Sequence, residues 1–117
     1  MLRALHLPEN PLGPQGAAYI ADALASGGPL ATLELQCCEI DSEGCQALAR
    51  PLERNWCPSL TELDLSDNAL GPKGHAALGD AIAYNTSLPS LELSNTRAGP
   101  RGAASLAFGI HHNGRGT

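Results

Sequence analysis

Leu60-Thr61-Glu62-Leu63-Asp64-Leu65-Ser66-Asp67-Asn68-Ala69-Leu70, followed by Gly71-Pro72-Lys73-Gly74, changes its periodicity part-way through fifteen residues. Leu63 and Leu65 alternate, which puts both on one face of a short strand. Beyond Gly71-Pro72 the spacing turns helical, with Leu78 and Ile82 forming an i,i+4 stripe. The same frame occurs three more times. It reads Leu2, Leu5, Leu7, Asn10, Leu12, Gly16; then Leu30, Leu33, Leu35, Cys38, Ile40, Gly44; and finally Leu88, Leu91, Leu93, Thr96, Ala98, Gly102. Starts at residues 2, 30, 60 and 88 give periods of 28, 30 and 28. Repeats over 2–29, 30–59, 60–87 and 88–117 leave no room for a second domain.

The helical halves carry their own punctuation. Ile20 with Leu24, Leu48 with Leu52, and Leu106 with Ile110 repeat the i,i+4 stripe, and small residues such as Ala17-Ala18 and Ala103-Ala104 let helices pack closely. Gly13-Pro14, Gly71-Pro72 and Gly99-Pro100 place proline in the first turn, where no N–H is needed. The second repeat has Asp41-Ser42 instead, and Asp serves as an N-cap by side-chain acceptance. Pro51 falls inside the second helix and is expected to bend it or strand a carbonyl. Gly27-Gly28, Asn55, Asn85 and Asn113-Gly114 read as helix stops.

Composition narrows the function classes. The net charge of −5 argues against general attraction to nucleic acid or anionic lipid. Aromatics are 3% of the chain and valine is absent, so the core must rest on leucine and alanine. No run approaches the roughly 18 apolar residues of a membrane span, and no N-terminal pattern resembles an export signal. Cys37, Cys38, Cys45 and Cys57 contain no CxxC pair, so reduced cytoplasmic thiols are expected rather than a metal site or disulfides. Cys38 occupies a core-facing position of the frame and is expected to be shielded, with Cys57 beside Trp56 more accessible. His75 is expected at the surface, and His111-His112 at a solvated helix end. Asn85-Thr86-Ser87 matches a glycosylation sequon but reads as a helix-to-strand turn. No nucleophile, base and orienting group come together, and no phosphate-binding glycine motif occurs. The chain is therefore expected to be a non-enzyme without a cofactor.

The pattern L-x-x-L-x-L-x-x-(N/C)-x-L resembles the leucine-rich repeat, and the helical half resembles the ribonuclease-inhibitor subclass. That subclass includes ribonuclease inhibitor, the sensing domain of NOD-like receptors and the Ran GTPase-activating protein. The alternation of Asn10, Cys38, Asn68 and Thr96 is similar to that subclass too. The resemblance implies an α/β fold: an open horseshoe segment with four parallel strands on the concave side and helices on the convex side. It says little about a partner, because one fold hosts many functions.

In such a fold the residues between the strand leucines project onto the concave face. The central column reads His6, Glu34, Asp64, Glu92, with Glu62 and Gln36 in flanking columns. Glu9, Glu34, Glu62, Asp64, Asp67 and Glu92 face only Arg3 on the strand side, so the whole net charge lies there. Like charges on adjacent strands repel, which favours a binding role. The expected function is a protein-interaction module or scaffold segment docking a basic partner on His6, Glu34, Gln36, Glu62, Asp64 and Glu92. A small-GTPase regulator and a structural array segment in a cytoskeletal or ciliary assembly are the alternatives. Neither terminal repeat has a polar cap, so the chain is expected to be a piece of a longer array or to stack on other chains at its ends.

Overall fold

The structure, a computed structural model, describes residues 3–86, 88 and 90–113. Strands and helices alternate: β1 (Ala4–His6), α1 (Gly13–Ala25), β2 (Thr32–Glu34), α2 (Ser42–Glu53), β3 (Glu62–Asp64), α3 (Gly71–Tyr84), β4 (Ser90–Glu92) and α4 (Gly99–His112). The strands form one parallel sheet in the order β1-β2-β3-β4. Frame-equivalent residues stand side by side: Leu5, Leu33, Leu63 and Leu91 form one row, and His6, Glu34, Asp64 and Glu92 the next. The expected α/β solenoid is present. Leu2, Ser87 and Gly114 of the sequence frame lie outside the described residues.

Each strand is only three residues long because the chain turns immediately, yet the ladder continues into the turn. Glu9, Cys37 and Asp67 donate their N–H groups to Gln36, Ser66 and Ser94 carbonyls. Those three residues and Asn95 all hold a positive φ, between +54° and +63°. The left-handed residue redirects the backbone while its N–H still reaches the neighbouring repeat.

The helix starts use two chemistries, as the sequence implies. Gly13, Gly71 and Gly99 hold φ of +64°, +67° and +65°, and proline follows each. At the same frame position Asp41 is extended, and its Oδ1 accepts from the Gly44 N–H at 3.0 Å. Pro51 is buried within α2, three residues from its end, and its carbonyl accepts from the Trp56 N–H.

The core lies between the sheet and the helices and is best filled in the middle. Leu33, Leu35, Leu48, Leu63, Leu65 and Leu78 are buried, whereas Leu5, Leu7, Leu91, Leu93 and Leu106 are only partly covered. Ile110, read as part of the helical stripe, is instead 52% exposed. Hollows of about 230 and 270 Å³ flank the first and last repeats. Helices α3 and α4 approach so closely that a Cβ at Gly79 would strike the Ser105 carbonyl, and one at Gly109 the Gly79 carbonyl.

Asp41→Ala removes the one side-chain cap among these helix starts and is expected to lower stability by about 1 kcal/mol, with Asp41→Gly costing only a few tenths. Chemical denaturation of the two variants measures the difference.

Candidate partner-binding face

The six residues assigned to the concave face fall into two groups. His6, Glu34, Asp64 and Glu92 are adjacent in register across all four strands, and Glu62 lies between Thr32 and Ser90 in the parallel row. Neighbouring strands are about 4.7–4.9 Å apart, so the carboxylates of Glu34, Asp64 and Glu92 succeed one another at that pitch. Together with Glu62, Thr32 and Ser90 they wall an open hollow of about 310 Å³. Gln36 sits apart from them, beyond the strand end, with its side-chain Oε1 buried and without a hydrogen-bond partner.

The carboxylates are not equally available. His6 Nδ1 lies 2.8 Å from Glu34 Oε1, the only salt-bridge geometry among the described residues. Asp64 Oδ1 accepts from the Ser66 N–H at 2.9 Å, which folds that side chain toward its own turn. Glu62 and Glu92 have no side-chain hydrogen bond or ion pair among the described residues and are exposed. Two of the four acids are thus partly engaged and two face solvent.

Beneath this face lies the polar ladder that holds the turns. Asn68 Oδ1 accepts from the N–H groups of Cys38 (2.9 Å) and Ile40 (3.0 Å), and Nδ2 points at the carbonyls of Leu35, Leu65 and Ser66. One amide therefore ties the turns of two repeats together. Cys38 does part of the same work, its Sγ lying 2.9 Å from Leu7 O and 3.3 Å from Gln36 O. Burial pushes its thiol pKa up.

Three residues stand elsewhere than the sequence suggested. His75, expected at the surface, is fully buried: Nδ1 lies 2.7 Å from Gly71 O and Nε2 2.8 Å from Thr96 Oγ1. Its place on the helix turns it inward, where it supports a threonine too short to copy the reach of Asn68. Cys57, expected to be accessible, is buried, and Cys37 is the exposed thiol instead. Among the described residues no three His, Cys, Asp or Glu side chains stand close enough to hold a metal ion.

Sequence reasoning missed a second ladder at the helix C-termini. Asn85 Nδ2 donates to Leu52 O at 2.9 Å, and its Oδ1 accepts from the Leu88 N–H at 2.7 Å. Asn113 Nδ2 repeats the contact one repeat later, donating to Ile82 O and to Asn85 O. Both were read as helix stops. The signal was present: they share a frame position, each three residues before the next repeat start. Buried Asn85 is also inaccessible to glycosylation in the folded chain.

These observations meet in comparison with known proteins. The family described as "Leucine Rich repeat" matches residues 29–49 and 57–79. The chain is 35% identical over 83 residues to ribonuclease inhibitor of Sus scrofa, covering 70% of this chain and 18% of that one. It is a leucine-rich repeat protein of the ribonuclease-inhibitor-like kind. A second relative, "NACHT, LRR and PYD domains-containing protein 12" of Mus musculus, is 38% identical over 86 residues, which is 73% of this chain and 8% of the relative. The chain thus spans less than a fifth of the length of the curated relatives it matches. The solved structure of "Leiomodin-1 Actin-Binding Site 2 (ABS2)" superposes with a TM-score of 0.85 at 19% identity, covering 94% of this chain and 64% of that one, a likeness of fold alone.

Asn68→Ala leaves the Cys38 and Ile40 N–H groups buried without an acceptor, at about 1–3 kcal/mol each. A loss of at least about 3 kcal/mol is expected, against less than about 1 kcal/mol for Asn10→Ala, whose amide is exposed. Thermal or denaturant unfolding distinguishes them.

The thiols give a second test. A water-soluble alkylating reagent is expected to modify Cys37 quickly and Cys38, Cys45 and Cys57 only on unfolding. Burial pushes the Cys45 thiol from 9.0 up to about 12. The unfolded chain therefore releases this proton first, and stability falls as pH rises from about 9 to about 12. Cys45→Ala is expected to flatten that decline.

Proposed function

We propose that this chain is a protein-interaction module whose acidic concave face docks a basic protein surface. The observation that carries the reading is the register: Glu34, Asp64 and Glu92 stand side by side on three adjacent strands, with Glu62 beside them. Leucine strands need polar outward residues, but serine or threonine would supply them without mutual repulsion. Carboxylates stacked at strand spacing cost a few tenths of a kcal/mol per pair in the free protein. A cationic partner turns that cost into attraction and gains in association rate.

The hollow walled by these acids is open and polar, which suits side chains from a macromolecule better than an enclosed small ligand. Glu62 and Glu92 are the primary contacts because nothing among the described residues engages them. Glu34 contributes once His6 swings away, and Asp64 through its second oxygen. Gln36 and His6 border the face. The sequence-level alternatives, a small-GTPase regulator and an array segment in a cytoskeletal or ciliary assembly, have no arrangement of side chains to support them. A cytoplasmic setting accords with four free thiols, one of them exposed. No helix among the described residues is long and apolar enough to cross a membrane.

The test compares two triple charge reversals of equal net charge, using an oligolysine peptide as probe. Glu34→Lys, Asp64→Lys and Glu92→Lys together are expected to weaken binding at least about tenfold, roughly 1.4 kcal/mol. Asp22→Lys, Glu43→Lys and Asp80→Lys on the helices are expected to weaken it far less. Affinity of the unaltered chain is expected to fall steeply with salt. Equal losses for the two sets would reduce the face to a share of the overall charge and reject the reading.

A further inference from the structure

The two ends of the solenoid are complementary to each other. We infer that the last repeat of one copy docks the first repeat of a second copy, head to tail, continuing the same parallel sheet. The inference does not depend on what the concave face binds.

The argument starts from the interface that recurs between repeats. At its centre Asn68 Oδ1 accepts from Cys38 N and Ile40 N of the preceding repeat, while Nδ2 reaches Leu35 O. Asn10 is the equivalent residue of the first repeat. Its Nδ2 already points at Leu7 O and Pro8 O, as that of Asn68 does at Leu65 O and Ser66 O. Its Oδ1 accepts nothing among the described residues. The matching donors at the other end are the N–H groups of Thr96 and Ala98, with Leu93 O as the matching acceptor. Docking end to end supplies Asn10 with all three, and keeps asparagine alternating with a shorter residue along the ladder.

The edge strands agree. Continuing the observed register pairs Ser90, Leu91 and Glu92 of one copy with Ala4, Leu5 and His6 of the next. That places His6 beside Glu92 as it now stands beside Glu34, at 2.8 Å. The partly covered rows Leu91, Leu93 and Leu5, Leu7 would then gain the neighbours that Leu33, Leu35, Leu63 and Leu65 already have.

The helices agree as well. Within the chain, the bare Cα of Gly44 admits its neighbour: a Cβ there would lie 3.0 Å from Ala17 Cβ and 3.4 Å from Pro14 Cα. Gly16 is the equivalent position on the first helix, and Ala103 and Pro100 are the equivalent neighbours on the last. Beside the internal contact a groove of about 260 Å³ runs between α1 and α2, bordered by Gln15, Ala18 and Ala47. The frame equivalent of Ala47 on the first helix is Tyr19, which is 76% exposed. In the docked pair that ring fills the corresponding groove and meets Arg101 of the other copy, the equivalent of Gln15, as a cation over an aromatic face. Because the contact joins unlike ends, it does not close, and copies add in series.

Sedimentation of the chain over a wide concentration range provides the first readout: the mean mass is expected to rise continuously rather than stop at a dimer. Two variants at exposed helix positions provide the second. Tyr19→Arg blocks the leading end, and Ala103→Arg the trailing end. Each alone is expected to associate at least about tenfold more weakly. Mixed, they retain one intact end each and are expected to form a one-to-one pair that grows no further. Circular dichroism of both variants verifies that the helices are kept. A chain that stays monomeric at every concentration, a mass that stops at a dimer, or a mixture that fails to pair would each overturn the inference.

Discussion

One buried amide sets the terms for the whole molecule. Asn68 has four lone-pair and N–H sites to satisfy in a place without water, and it satisfies them only when two successive turns lie at one fixed offset. Any slip of one repeat against the next would leave buried donors unpaired. The leucine rows are compatible with that offset but do not enforce it, because apolar contact is not directional. Hydrogen bonding therefore chooses the register, and leucine burial supplies the driving force.

Fixing the register has an electrostatic consequence. A repeat of constant frame sets like positions side by side, in the core and on the surface alike. In the core this is favourable, since Leu33 meets Leu63 on either side of one ladder step. On the concave face the same rule aligns Glu34, Asp64 and Glu92, and no frame-preserving shift separates them. The repulsion is thus inherent in the architecture. It is relieved only locally, by His6 at Glu34 and by the Ser66 N–H at Asp64.

The strands, helices, their order and the concave column were legible in the sequence because each depends on a period of 2, 3.6 or about 28 residues. What was not legible depends on contacts between periods. His75 looked like a surface residue near a helix start, but helix phase turns it toward Thr96. Cys57 looked exposed beside Trp56, yet the indole stays outward while the thiol folds under α2 toward Pro51 O. Asn85 and Asn113 carried a readable signal that was taken for helix termination alone. Asparagine does both jobs there, ending the helix and bridging to the repeat before it.

The ladder is also uneven along the solenoid, and the unevenness follows from side-chain reach. Asn68 makes five contacts at the join between the second and third repeats. Cys38 offers one weak S–H to two carbonyls, and Thr96 needs His75 to complete its surroundings. The best-covered leucines lie next to the asparagine, and the hollows next to the terminal repeats. In a structure whose stability is a sum of repeat and nearest-neighbour terms, such a distribution makes the ends open before the centre. The strongest join and the central part of the acidic column coincide at β2 and β3. The two strands that carry Glu34, Glu62 and Asp64 are therefore held by the tightest part of the fold, which keeps their spacing fixed while the outer repeats loosen.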